Sequence, residues 1–341
     1  MNSQHLQLYW HTLRYLTLTQ MWYRGRRMVR RRWWQWRQKP LPHPTSWDLN
    51  KISLLYVGLN SLKQLPNWPD LTAEACARAK EIANGRFHFL NQTVDQPHWH
   101  DPNLSQLWRY QFHYFHYVQP LLVWAAVDPD HQAHHTFLRL AHAWINDNAQ
   151  YAGDGWHPYT ISLRSVNWLH ALVHFHPHLI DTPQASVLLS SLYGQGQMLY
   201  TDLERDVRGN HLLENLRALI WLGIAFAGAE PTQWLTTGLD LLQRETHEQI
   251  LADGGHFERT PGYHLVILKD YLEIALWLRR NGVKVPPWLD AALECMLSYL
   301  VKTLFADGNV ALFKDTARDQ IPNPYDLLTI GAQYFVEPRY K

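Results

Sequence analysis

From about residue 70 onward, apolar residues recur at three- and four-residue intervals in nearly every window, which is the period of an amphipathic helix. The pattern predicts helices near 72–84, 104–126, 131–149, 160–176, 183–206, 210–228, 231–249, 262–281, 287–305 and 324–335. Short breaks rich in Gly, Pro and Asp separate them, among them "GDGWHP", "HPHLIDTP", "AGAEP", "ADGGHFERTPG" and "NGVKVPP". Strand-like alternation is scarce, and the segment "ISLLYVGLN" reads either as a strand or as an extended wrap. Consecutive helices on short connections pack as antiparallel hairpins, so the choice lies between an α/α toroid and an α-solenoid. No sequence period of the kind that marks the common helical arrays is visible, which favours the toroid. The expected fold is therefore all-α, an incomplete α/α toroid of antiparallel helical hairpins.

Before this body the pattern changes. "RGRRMVRRRWWQWRQK" interleaves Arg24, Arg26, Arg27, Arg30, Arg31, Arg32 and Arg37 with Trp33, Trp34 and Trp36, and the Pro-rich "KPLPHPTSW" follows. The division expected is a basic, Trp-rich helical arm and linker over residues 1–45 and a toroid over 46–341. The arm suits an anionic membrane surface or a nucleic acid, and equally a solvated helix that docks on the main domain through its tryptophans. Across the whole chain 31 Lys and Arg balance 30 Asp and Glu, so any attraction for anions is local and nucleic acid is not the expected partner. The first residues lack a signal-peptide pattern and any run fit to span a bilayer, which points to the cytoplasm. Cys76 and Cys295 stand far apart without CxxC spacing, so neither a disulfide framework nor a cysteine zinc site is expected.

The excess is in 17 Trp, 17 Tyr and 21 His, side chains that suit a wet, lined cleft as well as a core. Three predicted helix starts collect them. "GDGWHPYTISLRSVNW" carries Trp156, His157, Tyr159, Arg164 and Trp168; "RGNHLLEN" opens a second helix and "DGGHFERTPGYH" a third. In "GNHLLENLRAL", Asn210, His211, Glu214 and Asn215 gather on one side while leucines form the other. Helix N-termini with free N–H groups favour an anionic ligand such as a carboxylate or sulfate.

The blocks "LWRYQFHYFHYV", "GWHPYTISLRSVNWL", "LERDVRGNHLLENLRALIWLGIAFAG", "QILADGGHFERTPGYHLVILKDYLEIAL" and "ADGNVALFKDTA" resemble, in order, those of the heparinase II/III-like polysaccharide lyases, which include alginate lyases. The resemblance covers about residues 80 to 320. It implies an α/α toroid acting on a uronic-acid polysaccharide by β-elimination, with Asn210, His211 and Tyr263 as the catalytic residues. It also implies a carboxy-terminal β-sandwich for which the chain, ending at Lys341, leaves no room; a partner chain or neighbouring subunit is then expected to complete the cleft. Gln111 stands where relatives carry Asn, and Gly262 where they carry a bulkier residue.

The chemistry is consistent with that assignment. The proton at carbon 5 of a uronate is poorly acidic because the adjacent carboxylate opposes a carbanion. Asn210 and His211 would hold that carboxylate and the enolate-like charge that develops. Tyr263 would act as base, acid or both, and its phenol, with an ordinary pKa of about 10, needs a cationic neighbour such as Arg259, His256 or His211. Arg259, His256, Glu214, Trp156, Tyr159, Arg164, Trp168, His113 and Tyr114 are the expected substrate contacts, with no metal and no cofactor. Blander roles stand beside these: Asn210 as a helix cap, His211 as a structural histidine, Glu214 as the partner of His211, Arg217 or Arg208, and half the aromatics as packing. Two other classes remain: a non-catalytic glycan-binding or scaffold protein, and a glycoside hydrolase using paired carboxylates such as Asp253 with Glu258 or Asp154 with Glu214.

Overall fold

A computed structural model describes residues 18–37, 68–128, 130–149, 151–175, 182–207, 209–314, 316 and 321–339. The expectations for "KPLPHPTSW" and "ISLLYVGLN" lie outside the described residues. Helix α1 is Leu18–Arg37, and α2 is Trp68–Ala83. A two-stranded hairpin follows, β1 Arg86–Phe89 against antiparallel β2 Gln92–Asp95. Leu90 and Asn91 form its two-residue turn with both φ positive, at 52° and 59°, the geometry that matches strand twist. Four-residue strands are too short to register as alternation, so sequence reading missed them.

The stretch expected as one helix over 104–126 is two, α3 Gln106–Tyr114 and α4 Val118–Ala125. Ser105 caps α3 by accepting the Trp108 N–H at 3.2 Å, and Phe115 stops it in the left-handed region at φ 62°. The remaining helices are α5 Gln132–Asp147, α6 Pro158–His174, α7 Pro183–Thr201, α8 Gly209–Ala225, α9 Ala229–Gln249, α10 Pro261–Arg280, α11 Pro287–Thr303 and α12 Pro324–Arg339. Proline opens α6, α7, α10 and α11 in the first turn, where its missing N–H costs nothing.

Two layers result. Helices α4, α6, α8, α10 and α12 touch in succession and form the inner layer, while α5, α7, α9 and α11 each pack behind the inner helix that precedes them. Burial separates the layers. In α6 every residue from Thr160 to Leu169 is buried, whereas α9 buries only the stripe Pro231, Trp234, Gly238, Leu242, Glu245 and Gln249. Because each hairpin reverses the chain, α4, α6, α8 and α10 run the same way and start at the same end of the curved layer.

The tryptophans fill the space between layers: Trp108, Trp144, Trp168, Trp221, Trp234 and Trp277 are fully buried. Trp221 and Trp277 stack at 4.2 Å between inner helices α8 and α10. Cys76 and Cys295 are free thiols. Among the described residues no helix is long and apolar enough to cross a membrane.

Two histidines are enclosed beside this core. His264 approaches the Met296 carbonyl at 3.2 Å, His256 approaches Gln249 Oε1 at the same distance, and burial pushes each down to about 4. Their folded pKa values lie below the unfolded value of about 6.5, so the unfolded chain binds more protons as the pH drops. Stability is therefore expected to decline from about pH 6.5 downward, by about 1–2 kcal/mol per histidine at about pH 5. Urea denaturation across this range measures it; His256→Gln with His264→Gln should reduce the slope, part of which remains because burial also pushes His113 and His170 down, and an unchanged slope in that variant would contradict neutral burial.

Candidate active site

The shared start of α6, α8 and α10 brings together the polar groups that an apolar inner layer cannot hold elsewhere. Gly209 enters α8 at φ 58°, and a Cβ built there would lie 3.4 Å from Glu258 Oε1, so the loop before α10 abuts the first turn of α8. Asn210 and His211 on α8 and Tyr263 on α10 are half-buried at this end. The His211 ring lies 4.3 Å from the Tyr159 ring on α6, and Tyr159 lies 5.7 Å from Tyr114 on α3. Tyr110 continues the wall, 6.3 Å from Tyr114 and 5.6 Å from His157.

Behind this wall sits Glu204, its side chain 1 % exposed. Helix α7 ends at Thr201 rather than running to 206 as expected, and the turn that follows turns Glu204 inward. His211 Nδ1 is 3.3 Å and His157 Nε2 3.7 Å from Glu204 Oε1, while the Asn215 amide donates to Glu204 Oε2 at 3.1 Å. Asn215 Oδ1 in turn accepts the Glu204 N–H at 2.9 Å, and the Asn215 amide reaches Ser162 Oγ at 3.1 Å. Burial alone would push the Glu204 carboxyl up; His211, His157 and Asn215 outweigh it and hold the carboxyl below its usual range. Burial keeps Tyr114 and Tyr159 well above the ordinary phenol range, so both stay neutral.

A second polar cluster lies below the first along α8 and α10. Arg217 donates to Glu214 at 2.8 Å and to Glu273, and stands 3.3 Å from Asp270; Lys269 is 3.6 Å from Asp270. Burial and the Glu214 charge push Asp270 up, whereas Arg217 and Lys269 overcome burial and hold Glu273 down at about 2. Arg217 lies seven residues beyond Asn210 and Asp270 seven beyond Tyr263, two helical turns or about 10 Å. The cluster therefore closes the inner layer beneath the mouth.

Several expected substrate contacts are placed elsewhere. Glu214 is buried against Arg217, and Glu204 takes the role of His211 partner. Arg164 is fully buried, donating to Gln195 at 2.9 Å with its guanidinium 3.7 Å from the Trp144 ring. Trp168 is fully buried, and Trp156 spends its indole N–H on the Asn148 carbonyl at 2.9 Å. His113 accepts the Trp144 indole N–H at 2.9 Å deep in the core. These four cannot touch a polymer at the mouth. His256, buried and held neutral, supplies no positive charge to Tyr263, whereas Arg259 is exposed on the adjoining loop at φ 54°. The hydrolase carboxylates are engaged as well: Asp154 pairs with Arg109 at 2.8 Å, and Asp253 accepts the Gly255 N–H at 2.9 Å in a turn. Gly262 has a local reason, since its N–H donates to Thr316 Oγ1 at 3.0 Å and a Cβ would come 2.9 Å from that oxygen.

The family model for the heparinase II/III N-terminus matches residues 73–338. The chain belongs to the heparinase II/III family. Among curated relatives, a heparin-sulfate lyase of Bacteroides stercoris is 33 % identical over 115 residues, 32 % of this chain and 17 % of that protein. A heparin-sulfate lyase of Bacteroides thetaiotaomicron is 26 % identical over 229 residues, 62 % of this chain and 32 % of that one. Among solved structures, a heparinase III matches with TM-score 0.64 at 19 % identity, covering 88 % of this chain and 47 % of its own. The heparan sulfate lyase HepC of Pedobacter heparinus matches with TM-score 0.59 at 20 % identity, covering 85 % and 45 %. This heparinase II/III chain thus has the helical toroid fold and spans less than half the length of those two solved relatives.

Sequence reading missed Glu204 and Tyr110 and the Lys269, Asp270 and Glu273 set, and it noted His157 and Asn215 without giving either a role. A signal existed for each group: a carboxylate seven residues before His211 in "LERDVRGNH", and three charges within five residues of an otherwise apolar inner helix in "LKDYLE". Glu204→Ala would strand Asn215 and His211, so a loss of about 1–3 kcal/mol in urea denaturation at neutral pH is expected, with a smaller loss for Glu204→Gln. Its contribution is complete above the ordinary carboxylate range and fades as the pH falls through the depressed folded value. Equal stability of wild type and Glu204→Ala would contradict the network.

Proposed function

We propose that this chain is the toroid part of a polysaccharide lyase that cleaves a uronic-acid-containing acidic polysaccharide by β-elimination. The observation that carries the reading is the meeting of the α8 and α10 starts, with Asn210 and His211 on one and Tyr263 on the other, at the mouth of a family toroid. Asn210 donates to the uronate carboxylate and stabilises the charge that spreads onto it when the carbon 5 proton leaves. His211, oriented by Glu204, assists at the same group. Tyr263 takes the carbon 5 proton and returns a proton to the departing glycosidic oxygen, so that the carbon–oxygen bond breaks as the carbon–carbon double bond forms. Arg259, exposed on the loop leading into α10, is the cation that would favour the Tyr263 phenolate. Tyr159, half-buried and neutral, offers its ring face to the sugar chain, with Tyr114 buried behind it.

The two curated relatives described above are named heparin-sulfate lyases, which makes heparan-type chains the first substrate to try, followed by alginate and chondroitin. Turnover is read as ultraviolet absorbance of the new double bond conjugated to the carboxylate. Tyr263→Phe is expected to lower turnover by at least about 100-fold while leaving binding of the chain nearly intact, the scale of a lost general acid–base. Asn210→Ala is expected to lower kcat by about 100-fold, the scale of one lost oxyanion donor. Full turnover in either variant removes that residue from the mechanism, and binding without turnover by the wild type favours a glycan-binding role.

A further inference from the structure

Helix α1 plays no part in the proposed reaction, yet it is the most biased segment of the molecule: its 20 residues hold seven arginines and no acidic residue. One side of it is fixed to the toroid. Arg30 Nη1 donates to the Thr201 carbonyl at 2.6 Å, Arg205 Nη1 donates to the Tyr23 hydroxyl at 3.2 Å, and Arg24 Nε stands 3.5 Å from Asp206 Oδ2. These contacts run through arginines and Tyr23. Trp22, Val29, Trp33 and Trp36 are 59, 71, 43 and 80 % exposed.

Their spacing places them together. At about 100° per residue these four positions fall within about 60° of one another, a single stripe along the helix. Gly25, near the edge of that stripe, has open space around it, with nothing within 4 Å of a Cβ built there. Arg26 lies at the opposite edge, its guanidinium 5.3 Å from the Trp22 ring, so cation and indole emerge on one side. The surface is thus an apolar ridge rimmed by fixed positive charge, at an angle to the docked side.

The occupant has to satisfy both properties. A second copy of α1 would cover the ridge but would set seven arginines against seven. A soluble polyanion would neutralise the arginines but offers no apolar phase to Val29 and the indole edges. An anionic lipid bilayer supplies both, with phosphates for the guanidiniums and an interfacial region that receives Trp. The arginines bar the helix from crossing, which agrees with the lack of a membrane-spanning helix among the described residues. We propose that α1 lies in the headgroup layer of an anionic lipid bilayer, with Trp22, Val29, Trp33 and Trp36 directed toward the acyl chains. Its anchor, Thr201 to Asp206, is the segment that leads into Asn210, so the toroid mouth is tethered to the same surface.

Flotation of the full chain with vesicles tests this independently of any turnover. Binding is expected to vesicles of phosphatidylglycerol mixed with phosphatidylcholine, at least about tenfold weaker binding to phosphatidylcholine alone, and weakening as salt shortens the Debye length. The variant Trp22→Ser, Trp33→Ser, Trp36→Ser keeps every arginine and the docked side. It is expected to lose at least about tenfold in partition onto anionic vesicles with its circular dichroism and melting unchanged. No binding by the intact chain overturns the proposal, as does undiminished binding by the variant, which would leave only charge. If the variant instead loses binding to an acidic oligosaccharide and keeps vesicle binding, the ridge is a glycan platform and the bilayer assignment is wrong.

Discussion

A buried carboxylate has to be filled with donors, and that requirement at Glu204 governs the arrangement at the toroid mouth. Leaving such a group unpaired in the interior costs several kcal/mol, roughly a large part of the stability of a domain. Asn215 and His211 meet it from helix α8 and His157 from the cap position just before α6, while Glu204 itself comes from the turn after α7. The three segments therefore cannot slide past one another without stranding a charge. Asn215 closes the loop by accepting the Glu204 N–H. The position of His211, and with it the first turn of α8, follows from that constraint.

The second cluster applies the same logic between α8 and α10. Arg217 is bound on three sides by Glu214, Asp270 and Glu273, so the two helices that carry Asn210 and Tyr263 are locked in register beneath the mouth. The Trp221–Trp277 stack fixes the same pair of helices from the apolar side. An elimination needs a carboxylate-holding group and a proton-transfer group at set separation. In the proposed reaction, a toroid whose inner helices start at one end would draw these two groups from neighbouring helices.

Much of the fold was legible because inner and outer helices both carry the 3.6-residue period, and their breaks carry Gly and Pro. The split at Phe115 was not, since a left-handed aromatic leaves no mark in the pattern. At the candidate site, the polar residues that open an apolar helix, Asn210 and His211, stood out in the sequence, and the structure sets His211 against Glu204. The site was misread where composition stood in for position: Trp156, Trp168, Arg164 and His113 look like sugar contacts in a list but are buried, Arg164 and Trp168 on inner helix α6 and the other two in the segments packed beside its start. Glu204 escaped notice for the opposite reason, since a lone carboxylate in a turn acquires meaning only through partners from distant segments.

Elimination and hydrolysis differ in whether an oxygen atom of water enters the product. Digestion of a heparan-type chain by this protein in water enriched in the heavy oxygen isotope, with mass spectrometry of the fragments, therefore tests the account most directly. The account predicts fragments without label at the newly cleaved linkage, one of each pair carrying an unsaturated uronate. Label at the new reducing end beyond what preformed fragments take up by exchange in the same water, with no unsaturated uronate, would mean hydrolysis and would contradict the assignment of Asn210, His211 and Tyr263 to a lyase.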